Sequence, residues 1–258
     1  MLKEKVVMIS GVGPGLGREM ALGAIREGAK VAIGCRTQSF LDELSKEIKG
    51  LGGEVCAVKT DISNSDETQE FINQTIDQFG KIDALINNAI AGYELIPFEE
   101  SSLDSWKEAI EVMLYGSYNT TRQIIEPMKS NGGGSIVMIN SMVVRKPFPN
   151  HSNYATSKAA MRGLANSLAV ELGPYNIRVN TLYMGWMWGP AVQGYIKQTA
   201  KDQGISEKDL IAGITSNIPL GIIPEDGDCA NAALFLVSDL SKVITGAGID
   251  VNGGEVTF

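Results

Sequence analysis

The sequence predicts an α/β fold: a parallel sheet of about seven strands with helices on both faces, in three layers. Two observations carry this expectation. Short apolar, β-branched runs alternate with longer stretches of helical periodicity through most of the 258 residues, and strand–helix alternation is the pattern of parallel sheets. The strand runs are also continuously apolar, as expected where both faces are covered.

Taken in order, Val6–Ser10 is the first strand, and residues 20–27 belong to the helix after it. Lys30–Cys35 is the second strand and residues 40–51 the next helix. Residues 54–59 form a third strand, and the helix beyond sets Phe71, Ile72, Ile76 and Phe79 at helical spacing. Ala84–Asn87 is a fourth strand, followed by one long helix over 103–129. Gly132, Gly133 and Gly134 break the chain before a strand at 135–140. A helix carrying Tyr154 and Lys158 follows, then a strand at 178–183, a helix near 228–237 and a last strand at Gly248–Val251. No repeat, low-complexity tract or linker interrupts the alternation, which predicts a single domain over residues 1–258. Residues 184–220 depart from it. They hold two of the three tryptophans and Gly185, Gly189, Gly194, Gly204 and Gly213. A long excursion at the carboxyl end of a parallel strand predicts a segment that covers a substrate.

Composition narrows the partners. Apolar residues make up 44% of the chain, enough for a large core, and the net charge of −8 argues against nucleic acid or an anionic membrane. No apolar run is long enough to span a bilayer, and no basic-plus-apolar leader is read at the start. Cys35, Cys56 and Cys229 are dispersed, with no CxxC, and His151 is the sole histidine. That usage predicts no metal site, no Ser-His-Asp triad and a reduced, cytoplasmic setting.

Two local patterns carry chemistry. Tyr154 and Lys158 lie four residues apart, on one face of a helix. A free tyrosine titrates near pH 10, roughly. A neighbouring ammonium favours the phenolate and lets the phenol act as a general acid or base. The second pattern, Ser10-Gly11-Val12-Gly13-Pro14-Gly15-Leu16-Gly17, sits between the first strand and the first helix. Glycines there let backbone N–H groups and the helix N-terminus approach a pyrophosphate. The GxGxxG spacing fails at Leu16, and no Gly-Lys-Ser/Thr follows.

With these motifs the chain resembles the short-chain dehydrogenase/reductase family, from Lys5 to about Gly254. The family's first turn is matched by Ser10 to Gly17, its Asp after strand three by Asp61-Ile62, and its Asn-Asn-Ala-Gly by Asn87-Asn88-Ala89-Ile90. Its catalytic serine corresponds to Ser141, and its Tyr-x-x-x-Lys to Tyr154 and Lys158. The resemblance implies a Rossmann-like, doubly wound sheet and hydride transfer between a nicotinamide and a carbonyl or secondary alcohol. Ser141, Tyr154 and Lys158 are the implied catalytic residues. The implied cofactor site is Gly11, Gly15, Leu16, Gly17, Arg36, Asp61, Ile62, Asn88, Ala89, Tyr154, Lys158, Gly185 and Met187. A homotetramer, paired through the long helices and the C-terminal strand, is implied as well, and the apolar tail 251–258 is compatible with it.

Three positions depart from the family pattern. Met113 stands where an asparagine helps hold a water behind the lysine, Ile90 replaces a glycine, and Gly189 replaces a threonine after Met184-Gly185. The end of strand two bears on the cofactor. An Asp there would bind both ribose hydroxyls, but the chain has Cys35 and Arg36. A guanidinium matches a 2′-phosphate in charge and fork geometry, which favours NADP(H) over NAD(H). For substrate, Met142, Val143, Trp186 and Trp188 suggest a bulky apolar or alicyclic molecule. A 3-oxoacyl-thioester reductase is the nearest alternative, and a non-catalytic cofactor sensor a more distant one. Enoyl reductases of the family usually space Tyr and Lys more widely.

Overall fold

The computed structural model describes residues 1–92 and 95–257. Phe258, at the end of the predicted apolar tail, lies outside the described residues. The strands are β1 (Val6–Ser10), β2 (Lys30–Cys35), β3 (Val55–Lys59), β4 (Ala84–Asn87), β5 (Gly134–Ser141), β6 (Ile177–Met184) and β7 (Gly248–Val251). All pair in parallel in one seven-stranded sheet, in the order β3-β2-β1-β4-β5-β6-β7. The order reverses between β1 and β4, and the crevice above such a switch point is where open α/β sheets bind ligands.

Between the strands run α1 (Leu16–Arg26), α2 (Gln38–Gly50), α3 (Ser65–Phe79), α4 (Leu103–Ile110), α5 (Ser117–Ser130), α6 (Ser152–Leu172), α7 (Pro190–Gln203), α8 (Glu207–Thr215) and α9 (Asp226–Val237). The continuous apolar runs work as expected, because alternate residues of one strand feed two cores. Val7 and Ile9 of β1 pack with Met20, Leu41 and Leu234 of α1, α2 and α9. Met8 packs with Phe71, Ile124 and Met161 on the other face. Each such fully buried side chain contributes about 1.5–3 kcal/mol. Local chemistry fixes the helix ends: Asn64 Oδ1 accepts from the Asp66 and Glu67 N–H groups, and Gly80 ends α3 at φ +79°.

The predicted unbroken helix at 103–129 is interrupted. Residues Glu111–Gly116 form a π-turn between α4 and α5. Gly116 is pressed against Ile62, whose Cδ1 would lie 2.5 Å from an added Cβ. Ser117 Oγ and Thr120 Oγ donate to the Met113 and Gly116 carbonyls at 2.7 and 3.1 Å. These side-chain bonds compete with the regular ladder and favour a wider turn. Residues 184–220 become α7, α8 and their flanking loops, with a separate small core of Ile196, Ile218 and Ile223.

Candidate active site

The loops at the carboxyl ends of β1, β2, β3 and β4 enclose one side of a cleft lined by Gly11, Arg36, Asp61 and Ala89. It continues past Gly13, Pro14 and Ile90 to a second part lined by Ser141, Tyr154, Lys158, Gly185 and Met187. The structure thus brings the Gly-rich turn, Arg36, Asp61 and the Tyr/Lys pair to one continuous opening.

Backbone crowding explains the turn. Gly11 has φ +84°, and a Cβ there would lie 2.3 Å from Ala89 Cα. A Cβ on Gly17 would meet Val12 Cα at 2.8 Å. Asn88 Nδ2 donates to the Gly11 carbonyl at 2.6 Å and ties β4 to the turn. Leu16 is buried at the start of α1, so this turn presents the N-terminus of α1 to the cleft. These features fit a dinucleotide phosphate: the glycines keep side chains out of the cradle, and the helix end favours an anion.

At the far side, Asp61 Oδ1 accepts from Ser63 N at 3.0 Å and from Ser63 Oγ at 2.6 Å. Burial opposes ionisation of Asp61, but the two Ser63 hydrogen bonds and the Arg36 guanidinium outweigh it and hold its pKa below the ordinary value. The carboxylate is therefore a fixed acceptor suited to an adenine amino group. Arg36 is exposed and lines the same wall with Cys35 and Thr37.

At the other end, β5 and α6 position the reacting groups. Lys158 is 3% exposed, and its Nζ donates to the Ile139 carbonyl at 2.8 Å. Burial lowers its pKa to about 8. The ammonium lies 5.7 Å from the centre of the Tyr154 ring, which is 9% exposed. Ser141 ends β5, and its Oγ accepts from Val143 N at 3.3 Å. Asn140, one residue earlier, accepts from Ser141 N at 2.7 Å and donates to the Lys158 carbonyl at 2.8 Å. Asn153 Oδ1 accepts from Tyr154 N at 2.7 Å, and its Nδ2 donates to Ser105 Oγ at 3.0 Å, holding α6 against α4. The sequence reading passed over both asparagines, although each directly precedes a flagged residue.

The four residues expected at the substrate separate. Met142 and Val143 form a buried 3₁₀ turn after Ser141, and Met142 Sδ lies 3.3 Å from where a Gly185 Cβ would stand. Trp186 and Trp188 instead pack against the small core of Ile196, Ile218 and Ile223. Trp186 contacts Tyr195 at 5.6 Å between ring centres and lines a different hollow, with Lys146, Phe148 and Glu255. The apolar lining beside Tyr154 comes from Ile90, Met184, Met187 and Val192. Met113 is fully buried, and a thioether offers only a weak acceptor there. No helix among the described residues is long and apolar enough to cross a membrane. No metal-binding cluster of His, Cys, Asp or Glu occurs among them either.

A dinucleotide cradle at the switch point, with a tyrosine, a buried lysine and a serine at one end, defines a nicotinamide-dependent oxidoreductase. A family model described as enoyl-(acyl carrier protein) reductase matches residues 11–255. The chain belongs to the short-chain dehydrogenase/reductase family and is an NAD(P)-dependent oxidoreductase. It is 32% identical over 255 residues to the 3-oxoacyl-[acyl-carrier-protein] reductase FabG of Thermotoga maritima, covering 99% of each chain. Similarity to the L-rhamnose 1-dehydrogenase (NAD(P)(+)) of Azotobacter vinelandii is 32% over 266 residues, covering 98% of this chain and 97% of the relative. Among solved structures, L-sorbose reductase from Gluconobacter frateurii, complexed with NADPH and L-sorbose, superposes with a TM-score of 0.94. It is 25% identical, with 100% of this chain and 98% of that chain covered.

Proposed function

We propose that this chain is a single-domain NADP(H)-preferring reductase or dehydrogenase of bulky apolar or alicyclic ketones and secondary alcohols. The observation that carries the reading is one cleft with Arg36 at its adenosine end and Ser141, Tyr154 and Lys158 at its other end. When bound, the dinucleotide supplies or accepts the hydride. Tyr154 Oη gives the proton to the carbonyl oxygen in reduction and takes it back in oxidation. Lys158 favours the phenolate by its charge. Ser141 Oγ holds the substrate oxygen. The walls of Ile90, Met184, Met187 and Val192 exclude water from the reacting centre and suit an apolar ring. The covering segment 184–220 closes over it. Exposed Leu103, Tyr115 and Tyr118 along the α4–α5 face support pairing through those helices in a tetramer.

The similarity to an acyl-carrier reductase supports a second reading, reduction of 3-oxoacyl thioesters. Arg145 and Lys146, the cations beside the site that would receive a phosphate-bearing carrier, are held by Asp250 and Glu255 at 2.8 and 2.9 Å. That pairing weighs against it. A panel of cyclic ketones, alcohols and 3-oxoacyl thioesters, assayed with NADPH and NADH, separates the two. The expected result is faster NADPH oxidation with a free cyclic ketone. Preference for the thioester would replace the first reading with the second, and no turnover with any carbonyl would sink both.

A further inference from the structure

One carboxyl group lies behind two glycines of the cleft. Asp226 opens α9 and is 8% exposed, and it lines the cleft together with Gly15, Gly189 and Pro190. A Cβ on Gly15 would stand 2.9 Å from Asp226 Oδ2, and one on Gly189 would stand 2.0 Å from the same oxygen. Neither glycine has positive φ. At Gly189 the backbone is extended and open to any residue, so there it is the carboxyl that excludes a side chain. Among the described residues no hydrogen bond or ion pair reaches this side chain.

The groups around it are mostly acidic. From α1 comes Glu19, bridged to Arg18, and from α9's own start come Glu225 and Asp228. Arg18 is also shared with Glu47 of α2. Lys158 of α6 lines the same cleft, but its ammonium is directed to the Ile139 carbonyl. Burial first, then Glu19 and Glu225, raises the Asp226 pKa above the ordinary carboxyl value. An anionic diphosphate on the Gly-rich turn adds negative charge beside Gly15 and disfavours the carboxylate further.

We propose that Asp226 is a binding residue for the dinucleotide diphosphate, and that it takes up a proton from solvent as the cofactor binds. The neutral carboxyl then donates its O–H to a phosphate oxygen instead of repelling it. This inference rests on the cleft being the NADP(H) site, and it makes cofactor affinity fall as pH rises. The sign follows from linkage. The free protein ionises Asp226 at a lower pH than the complex does, so between those two values binding requires a proton.

Calorimetry of NADPH binding at several pH values from about 5 to 8, each in two buffers of different ionisation enthalpy, counts the protons taken up. The cofactor's 2′-phosphate and Lys158 contribute alike to wild type and Asp226→Asn, so the difference reports Asp226. Wild type is expected to take up more protons than Asp226→Asn, by up to one per NADPH. The ratio of wild-type to variant Kd should rise up to tenfold per pH unit within the window. Equal proton counts in wild type and Asp226→Asn at every pH would overturn the proposal. If Asp226→Asn melts early, Asp226→Ser gives the same comparison. Failure of NADPH and NADH to bind at all would strike the cofactor reading, whereas binding without the proton difference strikes only this one.

Discussion

Asn140 Nδ2 donates to the main-chain carbonyl of Lys158 at 2.8 Å, joining the end of β5 to the middle of α6. The same side chain accepts from Ser141 N at 2.7 Å, so one buried amide sets the positions of Ser141 and Lys158 relative to each other. Precision of this kind matters, because small misplacements of reacting groups cost large factors in rate.

Replacing Asn140 by Leu removes both bonds and leaves the buried Ser141 N–H without its side-chain acceptor, at about 1–3 kcal/mol. Denaturant melts should therefore show a loss of about 1–3 kcal/mol. The kcat should fall at least tenfold, by order of magnitude, with NADPH affinity changed little. An unaltered kcat would show that Asn140 does not position the pair.

Tyr154→Phe removes only the phenolic hydroxyl from a side chain that is 9% exposed, so the fold should be retained. Loss of a positioned general acid or base costs about 10²–10⁴ in rate. Steady-state turnover should drop by that order, while fluorescence titration shows NADPH binding close to wild type. Full turnover in this variant removes Tyr154 from the chemistry.

Lys158 carries a buried charge whose pKa is lowered to about 8 from 10.5. A cation with a depressed folded pKa destabilises the native state below that pKa, and the penalty is relieved as pH rises toward the unfolded value. Each pKa unit corresponds to about 1.4 kcal/mol. Relative to Lys158→Met, wild type should therefore gain about 2 kcal/mol between pH 8 and pH 9.5, read from paired urea melts. A constant difference across that window would place the ammonium in a better-solvated setting than its burial suggests.

Arg36 lines the cleft beside Cys35, Thr37 and Asp61, where the proposal places the adenosine. Its replacement by Asp should weaken NADPH binding by about tenfold to a hundredfold, the worth of one charge-assisted hydrogen bond and its ion pair. NADH binding should be kept or improved, since a carboxylate accepts from ribose hydroxyls. Equal losses for the two cofactors would mean that Arg36 does not read the 2′-phosphate.

The strands were legible because each is a continuous apolar run, and two packed faces leave such a run no other stable arrangement. The glycine turn was legible for a related reason: at Gly11 a Cβ would overlap Ala89, so the residue type itself records the crowding. The break at Glu111–Gly116 was not, since helix periodicity runs through it and the cause lies in Ile62 and in hydroxyl-to-carbonyl bonds. The place of the two tryptophans was equally hidden. Their place at the start of the 184–220 excursion suggested a substrate lining, but both rings pack against a small core of Ile196, Ile218 and Ile223.

By itself the sequence determined the α/β alternation, the Gly-rich turn and the Tyr154/Lys158 spacing, because each is a local constraint written in residue type or spacing. Tertiary structure alone decided which distant groups meet. Asp226 faces Gly15 and Gly189 from more than thirty positions away along the chain. Asn140 reaches across from the sheet to α6. Such contacts depend on how helices settle on the sheet, and no local pattern in the sequence records that packing.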